Sequence, residues 1–270
     1  MQTVSAHVQH GERNLETNLV YGNWIRKKFL LILGLCTLGA GALIIVPLGS
    51  LYHLIMAFLF VVILISFLFP LYSYVMFSQK GGRFQDKVYN LIIESLGTKV
   101  KGKILDIGSG NGVLAVLLAQ KQIEAEIVGI DYWGKDWEYS KSVSEKNAQI
   151  GKVEARVHFQ KGDAAALEFA NDTFDGAISN LTFHEVQSVA DKREVVREVL
   201  RVVKPGGRFA FVDYFYDAKL YGKASEFEEY LKGLKLSQFE YKLLRDVMTI
   251  PMLLRHPKIL GKVGIIYGRK

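Results

Sequence analysis

The chain has 270 residues, a single cysteine and a formal net charge of +7. The length exceeds what one compact α/β domain needs, and the lone Cys36 excludes a disulfide framework or a cysteine-based zinc site. Basic residues flank two apolar stretches, and no Lys/Arg block with interleaved aromatics lies elsewhere. Anionic lipid is therefore the expected partner of this charge, and nucleic acid is not.

In chain order, residues 1–28 read as an N-terminal arm, polar and aperiodic over most of its length. Two uncharged apolar runs follow, at 29–46 and 51–69, separated by Pro47-Leu48-Gly49-Ser50. Each would span about 27–29 Å as a helix, close to the thickness of a bilayer core. Residues 29–77 are thus expected to form a transmembrane helical hairpin. Arg26, Lys27 and Lys28 precede it, Lys80 and Arg83 follow it, and the turn carries no charge. The positive-inside rule then puts both ends, and the domain beyond, in the cytoplasm. Tyr21, Trp24, Tyr72 and Tyr74 stand where interfacial aromatics are expected. Gly34, Gly39 and Gly41 would let the helices approach closely. The runs are too long, and begin too far along the chain, for a signal-peptide core. A buried core hairpin is the competing reading. It is the weaker one, because the remaining chain already reads as a domain with its own core.

Residues 78–83, Ser-Gln-Lys-Gly-Gly-Arg, read as a hinge before a helix at 84–96 that stops at Gly97. Strands and helices then alternate. Strands are expected at 103–107, 126–130, 156–161, 174–179 and 208–212, with helices at 113–120, 140–149, 193–202 and 224–234. This alternation predicts a doubly wound, Rossmann-like α/β sheet of seven strands. Strand-like runs at 238–244 and 263–267 lack an obvious helix between them and read as an antiparallel closing pair.

The motif with the most chemistry is Asp106-Ile107-Gly108-Ser109-Gly110-Asn111-Gly112, a strand end, a glycine turn and a helix N-terminus. This arrangement holds nucleotide-like ligands over an α/β sheet. The next strand ends in Asp131, where a carboxylate can accept two hydrogen bonds from ribose hydroxyls. A nicotinamide-dinucleotide fingerprint would need a glycine or alanine at the position Val113 occupies, so a dehydrogenase is disfavoured. Further along stand Lys161-Gly162-Asp163-Ala164, then Phe174 through Glu185, then Lys204-Pro205-Gly206-Gly207.

From residue 84 onward, these ordered motifs resemble the class I S-adenosylmethionine-dependent methyltransferases, and most of all the small-molecule group of ubiquinone/menaquinone biosynthesis. The resemblance covers about two thirds of the chain and makes 78–270 the methyltransferase domain. It implies that S-adenosylmethionine is the cofactor; no metal site is expected. Gly108, Gly110 and Gly112 would wrap the methionine part, with Asp106 near its ammonium. Asp131 would hold the ribose, and Tyr132 with Trp133 would flank the adenine or form a rim. Asp163, beside Ala164, would accept from the adenine amino group; capping the following segment is its alternative role. Asn180 would stand beside the methyl group. His184 and Glu185 are the polar pair able to act as a base, with His184 as the candidate catalytic residue; packing is its plainer role. Phe183, Asp213, Tyr214, Phe215 and Tyr216 would shape the acceptor pocket or form an aromatic core. The expected substrate is a small, hydrophobic or lipid-like molecule. The rival is a non-enzymatic, S-adenosylmethionine-binding membrane scaffold.

Overall fold

A computed structural model describes residues 18–97, 99–134 and 138–270. Most of the N-terminal arm therefore lies outside the described residues. The chain divides into two compact units. One is the segment from Asn23 to Gln85; the other is Asp86 to Lys270 together with the segment ending at Gly22.

The first unit is a helical hairpin of α1 (Lys27–Ile44) and α2 (Ser50–Phe77). Both helices are long and apolar enough to cross a membrane, and only 11% and 6% of their most apolar windows are buried. A core helix would be buried mostly by its own protein; these are not. Their hydroxyls bond back to the preceding turn: Thr37 to the Leu33 carbonyl, Ser66 to Val62 and Ser73 to Phe69. This is how a helix satisfies polar side chains without water. At the tip, Tyr52 donates to the Leu43 carbonyl, and the His53 ring lies 3.1 Å from that of Val46. Both carbonyls also accept backbone amides, Leu43 from Val46 and Val46 from Leu48, so these side chains add a second bond at the tip. Close approach holds at two of the three glycines singled out. A Cβ would sit 3.5 Å from the Phe67 ring at Gly34 and 3.3 Å from Phe60 at Gly41, whereas Gly39 faces open space. α2 also continues through Pro70, past the apolar run read at 51–69.

In the second unit, α3 (Phe84–Leu96, whose first two residues belong to the hairpin unit) leads into β1 (Gly102–Ile107) and α4 (Val113–Lys121). Then come β2 (Ala125–Asp131), α5 (Lys141–Ile150), β3 (Val157–Lys161), β4 (Phe174–Asn180), α6 (Lys192–Val202) and β5 (Val203–Asp213). Short helices α7 (Ala218–Tyr221) and α9 (Leu244–Val247) bracket α8 (Ala224–Gly233) and β6 (Gln238–Leu243), and β7 (Gly264–Arg269) closes the sheet. The seven strands lie in the order β3-β2-β1-β4-β5-β7-β6. β7 is antiparallel to both β5 and β6, and the remaining pairs are parallel. The core strands are apolar because helices cover both faces of such a sheet. Strand order reverses between β1 and β4, and a crevice at the carboxyl ends of strands is expected there.

Candidate active site

β1, β2 and β4 all deliver their C-terminal ends to this crevice. Gly108, Gly110 and Gly112 have φ of 71°, 55° and 74°, a region that costs other residues about 1–2 kcal/mol. Gly108 also needs space: a Cβ there would fall 1.9 Å from Thr182 Oγ1. The loop after β4 thus rests directly on the turn. The amides of Gly108 and Ser109 both donate to the Ile130 carbonyl, at 2.8 and 3.0 Å, tying the turn to β2.

The carboxylates behave differently from one another. Asp106 is buried, and its Oδ2 has no partner among the described residues. Burial and the nearby Asp131 charge push its carboxyl up to about 8, against a partial opposing effect of the Ala115 amide. Asp131 accepts the Gly110 amide on Oδ2 at 2.8 Å and the Trp133 amide on Oδ1 at 2.7 Å. Burial still leaves it above the usual carboxylate range. Each oxygen keeps a second lone pair for a ligand. Trp133 Nε1 donates to the Gly110 carbonyl at 2.8 Å, closing the turn from its other side. Tyr132 is exposed, with the Lys161 ammonium 4.6 Å from its ring centre. Asp163 Oδ1 accepts the Ala165 amide at 2.9 Å, an Asx turn rather than a helix cap. Ala164 beside it is buried.

After β4, Asn180 Oδ1 is buried without a partner among the described residues, as is Ser109 Oγ. Three buried, unanswered oxygens (on Asp106, Ser109 and Asn180) around a glycine cradle fit a cationic, hydrogen-bonding ligand. His184 Nδ1 lies 2.9 Å from Asp213 Oδ1, and Asp213 is wholly buried at the end of β5. Its carboxylate also accepts the Phe183 amide at 2.8 Å and the Tyr214 amide at 2.6 Å. Burial pushes the His184 imidazole down and Lys192 adds to that. The Asp213 charge and hydrogen bond, with Glu185, outweigh both and hold it above its ordinary value. Glu185 Oε1 is 3.6 Å from His184 Nε2, and the Tyr214 ring meets the imidazole edge-on at 4.7 Å. Lys192 Nζ donates to the carbonyls of Val186 and Val189, pinning the loop that carries the histidine.

Of the two readings of the strand-end aromatics, pocket wall or core, the core holds for Phe183 and Phe215. Phe183 and Phe215 are fully buried in the main hydrophobic cluster, Phe183 edge-on to Phe211 and Phe215 stacked with Phe227. They belong to the core because strand-end apolar side chains on this face have α7 and α8 packed over them. Tyr216 stacks on Tyr241, and the Tyr214 hydroxyl donates to the Ile259 carbonyl. The sequence did not point to Tyr139, whose ring lies 3.6 Å from where a Gly110 Cβ would be, nor to Asn147 beneath the turn. Asp213 was read as a pocket wall rather than as the partner of His184. The signal available for it was an acidic residue closing an apolar strand, as Asp131 does.

Residues 98–249 match the family described as "Methyltransferase domain". The uncharacterised methyltransferase YcgJ of Bacillus subtilis is 34% identical over 125 residues, 46% of each chain. The ubiquinone/menaquinone biosynthesis C-methyltransferase UbiE of Desulfotalea psychrophila is 28% identical over 203 residues, 66% of this chain and 78% of that protein. Among solved structures, the geranyl diphosphate C-methyltransferase of Streptomyces coelicolor, complexed with Mg2+, geranyl diphosphate and S-adenosyl-L-homocysteine, superposes with a TM-score of 0.53. That likeness covers 85% of this chain and 88% of that one, and at 13% identity it speaks to fold alone. The chain spans about half the length of the first curated relatives it matches.

Proposed function

Since the chain belongs to the methyltransferase-domain family, we propose that it is a membrane-anchored, S-adenosylmethionine-dependent methyltransferase acting on a small hydrophobic or lipid-like acceptor. The observation that carries the cofactor assignment is the glycine turn with the buried, unpartnered Asp106 oxygen at its entrance. Asp106 would hold the ammonium of the methionine part, Asp131 the ribose hydroxyls, and Asp163 with Ala164 the adenine edge. Asn180 would lie beside the transferable group. Bound there, the cofactor supplies an electrophilic methyl group on a sulfonium. The chain's part is to place the acceptor in line, exclude water and take up a proton. His184 is the group for the last task, with Asp213 fixing which ring nitrogen faces outward.

Membrane anchoring rests on α1 and α2 and on the basic residues outside them. The similarity to a quinone-biosynthesis C-methyltransferase supports an apolar acceptor. The test is incubation of the full chain, in lipid vesicles, with methyl-labelled S-adenosylmethionine and a lipid extract, followed by mass spectrometry of the organic phase. Label in an extractable small molecule is expected. Cofactor binding by calorimetry without transfer to any extracted compound would instead favour the non-catalytic scaffold.

A further inference from the structure

The stretch just ahead of the hairpin makes contacts that a simple tether does not need. Leu19 is buried. The Val20 amide donates to Asn147 Oδ1 at 2.8 Å, and the Val20 carbonyl accepts from Asn147 Nδ2 at 3.0 Å and from Asn111 Nδ2 at 3.3 Å. Asn147 Nδ2 donates at the same time to the Asn111 carbonyl, at 2.8 Å. Asn147, on α5, is completely buried, and Asn111 lies inside the glycine turn. Buried amides are costly unless their hydrogen bonds are made. Here the backbone of one residue, Val20, answers both of them. Two residues on, a Cβ at Gly22 would lie 1.9 Å from Tyr139 Cε1, and one at Gly110 would lie 3.6 Å from Cγ of the same ring. Tyr139 therefore touches both Gly22 and Gly110.

We propose that residues 19–22 are positioning residues of the cofactor site. They hold Asn111, and press Tyr139 onto Gly110, so that the turn keeps its binding geometry. The inference rests on the cofactor reading above and extends it: occupancy of the glycine turn is coupled to docking of the segment that leads into the apolar helices. Because coupling is reciprocal, the cofactor must also tighten that segment on the domain.

The test uses the full chain in detergent micelles and S-adenosylhomocysteine as the probe. Val20→Pro removes the amide donor, whereas Val20→Ala keeps it and trims only a partly exposed side chain. Calorimetry is expected to give an affinity about tenfold weaker for Val20→Pro and within about twofold of wild type for Val20→Ala. Equal affinity for the two variants overturns the proposal. A measurement on the unaltered protein covers misfolding of the proline variant. Saturating probe should slow hydrogen exchange at the Val20 amide, and an unchanged rate there also overturns it. Wild-type protein that fails to bind the probe defeats the cofactor reading and this inference together. Wild-type binding with no effect at Val20 defeats this inference alone.

Discussion

Asp106 carries its burial as a latent cost. Its carboxyl is pushed up to about 8, so between about pH 4 and 8 the folded chain holds a proton that the unfolded chain has released. Stability of the ligand-free protein therefore falls as pH rises through that window. Asp106→Asn removes the titration. It is expected to raise the melting temperature at pH 8 without cofactor, yet to weaken S-adenosylhomocysteine binding by about ten- to a hundredfold. Calorimetry and thermal melts across pH check both halves, and a variant stable at pH 8 with unchanged affinity would remove Asp106 from the site. Asp131→Ala should cost about 2–4 kcal/mol of affinity, since it deletes the proposed ribose acceptors and also releases the Gly110 and Trp133 amides. His184 has the same sign of pH dependence as Asp106, because its folded-state value is also raised. Its raised value means its contribution to stability is complete below about pH 6.5 and is lost as pH climbs through the folded value. As the proposed base it would work neutral, so the rate should rise over that same climb. Asp213→Asn leaves burial and Lys192 acting against Glu185 alone. The imidazole titration seen by NMR should move down in pH, and the rising limb of the rate profile with it. His184→Ala should lower kcat by about 10²–10⁴-fold while leaving probe affinity unchanged. The glycine turn and the strand-end positions of Asp106 and Asp131 were legible in sequence, because apolar strands ending in a carboxylate and a run of alternate glycines are local signals. The His184–Asp213 pair and the Val20–Asn147 tie join residues far apart in the chain, and no local pattern encodes them.

The β/α alternation is readable from apolar runs and turn residues, and the strand and helix positions fall within a few residues of those expected. Where reading and structure part, tertiary contacts decide. β5 was expected to begin at 208 after a Pro-Gly-Gly turn. Instead Val203 already pairs with Phe174, and the chain bulges before Gly176 meets Arg208. Lys204 bonds Asp175 Oδ1 at 2.7 Å, and the Gly206 amide bonds the Lys270 carbonyl, so the excursion stays within the sheet. α7 and α9 have four residues each, too few to show helical periodicity. The connection from α4 to β2 depends on one side chain. Arg156 donates to the carbonyls of Ala119, Gln122 and Ala125, at 2.8, 3.2 and 2.7 Å. It thereby caps the end of α4 and holds the turn that starts β2. Arg156→Met keeps much of the aliphatic stem and loses all three bonds. Urea unfolding of that variant should show a loss of about 1–3 kcal/mol, and an unchanged midpoint would mean water serves those carbonyls equally well.

At the scale of the whole chain, the hairpin and the methyltransferase domain make separate demands. α2 has 28 residues, about 42 Å of helix against roughly 30 Å of hydrocarbon, so if it crosses a bilayer, part of it would extend into the headgroup region or beyond. Charge places that end: Lys80 and Arg83 follow it, Arg26 to Lys28 stand at the start of α1, and the connecting turn has none. Both ends are expected on the cytoplasmic side. The chain should resist alkaline carbonate extraction, and tags at the two termini should be digested from the same face. Release into the soluble fraction, or tags on opposite faces, would defeat this topology. An anchored domain is confined near the surface where an apolar acceptor is concentrated. The basic loop bearing Arg255 and Lys258, beside the exposed Met252 and Leu253, suits an anionic headgroup layer, at about 1 kcal/mol for each positive charge near it. If the acceptor enters from the bilayer, the rate must follow its mole fraction in the membrane. Diluting a fixed amount of acceptor with inert phospholipid, in vesicles carrying the full chain, should therefore slow turnover in proportion. A rate that tracks only the bulk acceptor concentration, indifferent to added lipid, would mean that the hairpin merely localises an enzyme fed from water.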